Sequence, residues 1–173
     1  LNKGFAKATG DIFGWLCADD EMLPGALQHV ADAFTADPDL DVLTGRCERV
    51  MPDNTTRWVT GGDPNTWRNI GIQNVVEQPS TFWKGALHRR IGALDTTYHL
   101  GFDWDFWARM KAAGARLKST DRVLSRYYFS ATNKCGTAGN LFMKEAFRLV
   151  DTHGPRGLAH VYRFLYRHFD LKG

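Results

Sequence analysis

The sequence has few cysteines, no long apolar run and little net charge. Its three cysteines, Cys17, Cys47 and Cys135, are too far apart for a disulfide framework or a zinc-binding motif. This usage is typical of a reducing compartment and predicts a cytoplasmic protein. No signal peptide and no stretch long enough to cross a bilayer is recognisable. A net charge of +3 is too small an excess to indicate a nucleic-acid partner.

What the sequence does contain is an alternation of helical and strand patterns over 173 residues. This alternation predicts an α/β fold with a mixed sheet and helices on its faces. Apolar spacing and turn residues predict strands at 12–17, 41–51, 55–60 and 80–83 and within 115–129. The same patterns predict helices near 24–34, from 84 to Gly92, at 103–114, and two more after 140.

The segment "GDIFGWLCADDEMLPGAL", residues 10–27, ends an apolar run in two adjacent carboxylates. Asp19 and Asp20 are therefore expected at the carboxyl end of a strand, just before a helix near Pro24. One interpretation is electrostatic, because acidic residues favour the positive end of a helix. The other is a divalent cation site, since ligand crevices lie at that edge of an α/β sheet and carboxylates suit magnesium or manganese.

Three segments together resemble the family 2 glycosyltransferases of the GT-A fold. They are "NKGFAKATGDIFGWLCADD", "QPSTFWKGALHRRIGALD" and "DWDFWARM", in this order and spacing, and the resemblance extends over about residues 1–132. It implies a GT-A-like mixed sheet flanked by helices, in a partial catalytic domain at 1–135 with a helical extension at 136–173. The family's opening nucleotide-binding strand and helix have no counterpart here, so a truncated N-terminus is expected.

The resemblance implies an inverting transfer of a sugar from a nucleotide-diphosphate donor to an acceptor hydroxyl. The nearest subgroup builds bacterial cell-surface polysaccharides, so the implied acceptor is a glycan or a lipid-linked glycan. Asp20 matches the residue that coordinates the manganese or magnesium ion, and Asp19 matches one that faces the donor. Such a cation would stabilise the negative charge of the departing diphosphate.

Asp103 matches the general base of the family, a carboxylate that accepts the proton of the acceptor hydroxyl. Asp105 is the rival. It stands four residues before Arg109, the spacing of a stabilising pair on a helix, whereas Asp103 shares its helix face with Trp107 and Met110. The prediction is that Asp103 is the base.

Several further residues match the cleft less specifically. Gln78, Ser80 and Thr81 match the acceptor side, although Ser80 and Thr81 could equally be residues of an edge strand. Trp104 could stack on a sugar ring or pack in the core.

Two basic residues are candidates for the donor phosphates. Related sequences carry an arginine or histidine after the last strand, and "RYYFSATNK" lacks the histidine. Arg126 and Lys134 are the candidate substitutes, with a solvated loop as the alternative.

Two other functions and a membrane contact stay open at this point. A nucleotidyltransferase of similar fold would also use carboxylates and magnesium, and a non-catalytic or truncated sugar-binding module would retain the scaffold. The last helix pairs an apolar stripe with Arg163 and Arg167. It either docks on the domain or lies on an anionic membrane surface, which leads to the hypothesis that the enzyme works at the inner face of the membrane.

Overall fold

The computed structural model of the protein describes residues 1–130 and 139–168, which form a mixed α/β fold. The strands are β1 (Ile12–Phe13), β2 (Glu21–Met22), β3 (Val42–Val50), β4 (Arg57–Gly61), β5 (Thr81–Lys84) and β6 (Leu117–Tyr128). The helices are α1 (Asn2–Phe5), α2 (Ala26–Ala36), α3 (Thr66–Asn69), α4 (Gly85–Ile91), α5 (Phe102–Ala112), α6 (Gly139–His153) and α7 (Leu158–His168). A 3-10 helix covers Gln78–Ser80.

The sheet is built around β3, in the strand order β1-β5-β3-β6-β2, with β4 also paired to β3. β3 and β6 are parallel, and the other pairs among the described strands are antiparallel. β5 pairs with the first part of β3, at Val42 to Thr44, and β4 pairs with the second part, from Arg46 to Val50. The second halves of β3 and β6 therefore continue beyond β5, towards the cavity described below.

Successive residues of a strand point to opposite faces of the sheet. Apolar side chains therefore lie on both faces, and helices cover each of them. On one side, Leu43 and Phe82 pack with Val30 and Phe34 of α2. On the other side lies a larger core that draws on β5, α4, α5, α6 and α7. Its buried members include Val42, Trp83, Leu87, Phe106, Trp107, Met110, Leu149, Val150 and Ala159.

Most of the sequence-based assignments are confirmed. The hairpin appears as β3 and β4, the strand near Ser80 as β5, and the helix that begins near Asp103 as α5. The strand pattern at 115–129 is a single strand of 12 residues, and two helices follow it. α2 begins at Ala26 rather than near Pro24, since Gly25 adopts the left-handed conformation with φ of 75°.

The predicted buried strand at 12–17 is wrong beyond Phe13. β1 has only two residues, and Leu16 and Cys17 are exposed. A Cβ atom at position 14 would lie 2.8 Å from a ring carbon of Phe82, so Gly14 has no room for a side chain. The chain then leaves the sheet, and the carbonyl of Trp15 accepts a hydrogen bond from Gln78 Nε2 at 2.7 Å in place of a strand partner.

Candidate active site

A cavity of about 500 Å³ lies where the second halves of β3 and β6 meet three connecting segments. Its wall includes residues of β3 and β6, residues of the segment that leads from β1 to β2, residues 74–79, and residues 99–103 at the start of α5. This volume is within the range of small-molecule binding sites. Asp19, Gln78 and Asp103 line it together, although they are far apart in the sequence.

The acidic pair is divided between the cavity and the protein interior. Asp19 is exposed and lines the cavity. Both carboxylate oxygens of Asp20 are inaccessible to solvent and have no hydrogen-bond partner of ordinary geometry within residues 1–130 and 139–168. Burial and then the Asp19 carboxylate raise the pKa of Asp20 to about 6, against the opposing effect of Arg49 and of hydrogen bonding with Cys17.

This pair has the chemistry of a cation site. One ligand atom each of Cys17, Asp19 and Asp20 lies within 4.8 Å of the others. Carboxylate oxygens are the preferred ligands of magnesium and suit manganese. A buried carboxylate whose charge is only partly compensated, here by Arg49 and Cys17, costs free energy unless a proton or a cation neutralises it. The residues present therefore fit a divalent ion.

Asp103 occupies the first turn of α5 and is partly accessible from the cavity. Its Oδ1 accepts a hydrogen bond from the backbone N–H of Trp104 at 2.7 Å, and its Oδ2 accepts one from Asn74 Nδ2 at 3.3 Å. Burial outweighs these two hydrogen bonds and raises the pKa of Asp103 to about 6. A carboxylate of this pKa is a suitable general base near neutral pH.

Asp105 has a different environment. It is 4 % exposed and is not among the residues that line the cavity. Its Oδ2 accepts a hydrogen bond from Arg109 Nε at 2.7 Å, and its Oδ1 lies 2.8 Å from His153 Nε2. Burial alone would raise its pKa, but His153 and Arg109 lower the pKa below the usual range. Asp105 thus joins α5 to α6, and the geometry favours Asp103 over Asp105 as a base.

Of the residues predicted on the acceptor side, only Gln78 lines the cavity. Ser80 is fully buried, with its Oγ donating to the carbonyl of Arg46 at 2.8 Å and lying 2.5 Å from Ser125 Oγ. Thr81 Oγ1 donates to the carbonyl of Glu77 at 2.7 Å. Thr81 pairs with Thr44 of β3 on one side, and β1 pairs with β5 only at Trp83 and Lys84, so Thr81 has no strand partner on its other side among the described residues.

Trp104 is also separated from the cavity. Its side chain is 5 % exposed, and its indole Nε1 donates to the carbonyl of Ile70 at 2.5 Å. This geometry supports the packing alternative over stacking on a sugar.

The two basic residues predicted near the donor have different outcomes. Arg126 pairs with Glu21 at 2.6 Å and with Glu48 at 2.5 Å, and it is not among the residues that line the cavity. Two carboxylates therefore already neutralise it, and its donor role stays a prediction. Lys134 lies outside the described residues.

The cationic side chain on the cavity is Arg49 of β3, which sequence reasoning missed. It pairs with Glu77 at 2.6 Å and donates from Nε to Thr60 Oγ1 at 2.9 Å. Its guanidinium lies 5.2 Å from the ring centre of Tyr127 and 5.7 Å from that of Phe129. The alternation in "RYYF" could have indicated that Tyr127 and Phe129 share a strand face.

Two other missed residues hold Asp103 and the loop before it. The side-chain oxygen of Asn74 accepts from the N–H of Val76 at 3.2 Å, which orients the amide that donates to Asp103. Glu145 of α6 accepts three backbone hydrogen bonds, from His99, Leu100 and Gly101, at 2.7, 2.8 and 2.8 Å. Since these residues directly precede α5, Glu145 fixes the start of the helix that carries Asp103.

The chain is similar to several known proteins. The model of a family described as "Glycosyl transferase family 2" matches residues 1–112. A 42-residue stretch, 24% of this chain, is 50% identical to the "O-antigen biosynthesis protein RfbC" of Myxococcus xanthus, of which it covers 3%. Two crystal structures of S. aureus TarS, one of residues 1–349, superpose on 98% of this chain with a TM-score of 0.62 each.

The superposition confirms the expected mixed α/β fold of the GT-A type. Sequence identity to the two TarS structures is 17% and 18%, so this likeness is one of fold. The chain covers 50% of the TarS 1–349 chain and 30% of the longer one. It therefore spans half or less of the length of these relatives.

Proposed function

The chain belongs to glycosyl transferase family 2, and on this premise we propose that its cavity carries out an inverting sugar transfer from a nucleotide-diphosphate sugar to an acceptor hydroxyl. The single observation that carries the proposal is that Asp19 and Asp103 line the same cavity. A donor site that stabilises the leaving group and a separate base at the acceptor are the two functions that a direct displacement uses.

Asp20 would hold a manganese or magnesium ion at the donor diphosphate. A bound divalent ion supplies Lewis-acid stabilisation of the charge that develops on the leaving diphosphate. The buried carboxylate of Asp20 supports this role, because both of its oxygens are withdrawn from solvent and burial disfavours its charge more than Arg49 and Cys17 compensate it. Asp19, which is exposed on the cavity, would contact the donor itself.

Asp103 would act as the base. As the acceptor oxygen forms its bond to the anomeric carbon, the hydroxyl proton passes to a carboxylate oxygen of Asp103, and the bond to the diphosphate breaks on the opposite face. Asn74 holds that carboxylate in one orientation through its hydrogen bond to Oδ2. With a pKa of about 6, Asp103 is mostly ionised at pH 7 and can accept the proton.

The remaining wall has groups suited to recognition of a sugar. Gln78, Tyr127 and Phe129 line the cavity, and aromatic rings can pack on the apolar face of a sugar. The Arg49–Glu77 ion pair is close to neutral overall, so Arg49 would orient the donor rather than neutralise a whole phosphate. The similarity to RfbC, an O-antigen biosynthesis protein, supports a glycan or a lipid-linked glycan as the acceptor.

A donor panel tests the proposal. The full chain is incubated with manganese, UDP- or GDP-linked sugars and simple aryl glycosides as acceptors, and free UDP or GDP is measured. We expect release of nucleoside diphosphate, and Asp103→Asn should reduce turnover by about 100-fold or more while donor binding is retained. Asp32→Asn, which alters an exposed carboxylate of α2, is the matched control.

Two outcomes would contradict the proposal. Release of pyrophosphate from nucleoside triphosphates would identify a nucleotidyltransferase instead. Sugar binding without turnover in the parent protein, unchanged by Asp103→Asn, would identify a non-catalytic binding module.

A further inference from the structure

The last helix, α7, has two apolar sides. Leu158, Ala159 and Tyr162 pack against the core of the domain, so the helix is docked. Val161, Phe164 and Leu165 are 51%, 56% and 37% exposed and have the three- and four-residue spacing of one helix side. We refer to these three residues as the outer stripe. An ordinary docked helix would carry polar side chains there.

Exposed apolar side chains are concentrated in α6 and α7. Of the ten large apolar side chains exposed within residues 1–130 and 139–168, the outer stripe contributes three, and Leu141 and Phe142 of α6 contribute two more. The two helices are antiparallel, with Tyr166 donating to Asn140 Oδ1 at 3.0 Å. Leu141 and Phe142 therefore lie at the same end of the pair as the end of α7. A soluble monomer rarely exposes so many apolar side chains in one region unless they contact another molecule.

The positive charge of the chain is concentrated in the same helices. Residues 1–138 contain 16 basic and 16 acidic side chains, whereas residues 139–168 contain five basic and two acidic ones. Both acidic groups are engaged: Glu145 accepts three backbone hydrogen bonds, and Asp151 pairs with Arg163. Lys144 and Arg156 are exposed. The net charge of +3 is thus the charge of this helix pair.

We propose that α6 and α7 form a docking surface for an anionic lipid bilayer. Insertion of the outer stripe at the level of the headgroups would remove its apolar area from water, while the exposed side chains of Lys144 and Arg156 would meet the negative surface. The contact would be peripheral, because none of the helices in the described part of the chain is long and apolar enough to cross a bilayer. A second copy of the chain is a poorer fit, since two surfaces of the same positive charge would face each other.

Flotation with lipid vesicles tests the proposal and does not depend on catalytic activity. The full chain is mixed with vesicles of phosphatidylcholine alone or with about 30% of the anionic lipid phosphatidylglycerol added, which gives them a negative surface. We expect flotation only with the anionic vesicles and a loss of binding at high salt. Phe164→Ser combined with Leu165→Ser should weaken the apparent affinity by about tenfold or more, because two apolar side chains no longer insert.

Leu27→Ser is the matched control, because Leu27 is 62% exposed on α2, remote in sequence from the outer stripe. It should bind like the parent, and circular dichroism should show that all variants are folded. No flotation with anionic vesicles at low salt, equal flotation with phosphatidylcholine, or unchanged binding of the double variant would each overturn the proposal. A dimer that the double variant disperses, without any flotation, would assign the surface to self-association instead.

Discussion

Replacement of Glu145 by alanine should strongly destabilise the protein. The Glu145 side chain is 8 % exposed, and its carboxylate accepts three backbone N–H groups at 2.7 to 2.8 Å just before α5. Of the three donors, only the N–H of Gly101 belongs to a buried residue, and a buried donor left without an acceptor costs about 1–3 kcal/mol. We therefore expect a loss of about 2–3 kcal/mol, since the N–H groups of His99 and Leu100 can bond to water in the variant.

Urea unfolding of the parent, Glu145→Ala and Glu145→Gln measures this cost. Glu145→Gln keeps one acceptor oxygen and should lose about half as much, while the exposed neighbour Lys144 should be replaceable by alanine within about 0.5 kcal/mol. A loss below about 1 kcal/mol for Glu145→Ala would refute the claim that Glu145 fixes the start of α5.

The pH dependence gives a second check on Glu145. Burial by itself would raise its pKa, but the three backbone N–H groups hold the pKa below the usual range. A carboxyl group whose folded-state pKa is lowered stabilises the fold above its unfolded pKa, and this stabilisation disappears as the pH falls through the folded pKa. The difference between the parent and Glu145→Gln should therefore shrink in acid.

Three further predictions concern the carboxylates of the site. Asn74→Ala removes a hydrogen bond to ionised Asp103, so the pKa of Asp103 should rise by about half a unit from its value of about 6. Carbon NMR of the carboxyl group measures this pKa. An unchanged pKa would exclude a positioning role for Asn74. Asp105→Asn should lower the free energy of unfolding in urea by about 2–4 kcal/mol, because it weakens the contacts of Asp105 with Arg109 and His153. Asp103→Asn should change the free energy of unfolding by less than about 1 kcal/mol. A larger loss for Asp103→Asn than for Asp105→Asn would contradict the assignment of roles. Asp20→Asn should stabilise the metal-free protein by about 1 kcal/mol at pH 7.5, because the pKa of Asp20, raised to about 6, makes its ionised form a cost to folding above that pH. This gain should vanish near pH 4, where the carboxyl group is protonated in the folded protein. A thermal scan at pH 7.5 that shows no gain would contradict a costly charge on Asp20.

The sequence was informative where local periodicity decides structure. The alternation in β3 and β4 and the helical spacing in α2 and α5 were sufficient to locate these elements. The strand prediction failed after Phe13 because the carbonyl of Trp15 accepts its hydrogen bond from a side chain, that of Gln78, which is 63 residues away. An apolar run alone does not distinguish a paired strand from an extended segment with such a partner.

The site was predictable only in part. Asp19, Gln78 and Asp103 were found through the family resemblance, and the structure brings all three to one cavity. Ser80 and Trp104 stand close to these residues in sequence, but their side chains point into the core. Arg49 and Asn74 were missed because their roles depend on contacts 28 and 29 residues away, with Glu77 and Asp103, and no local pattern encodes such contacts.

Metal-dependent nucleotide binding tests the central claim most directly. The full chain is titrated with manganese in a calorimeter in the presence of UDP or GDP, and the titration is repeated with Asp20→Ala and with the matched control Asp32→Ala. The account predicts saturable binding by the parent and the control, and loss of binding in Asp20→Ala. Equal binding by the parent and Asp20→Ala would contradict it, as would the absence of manganese-dependent binding in the parent.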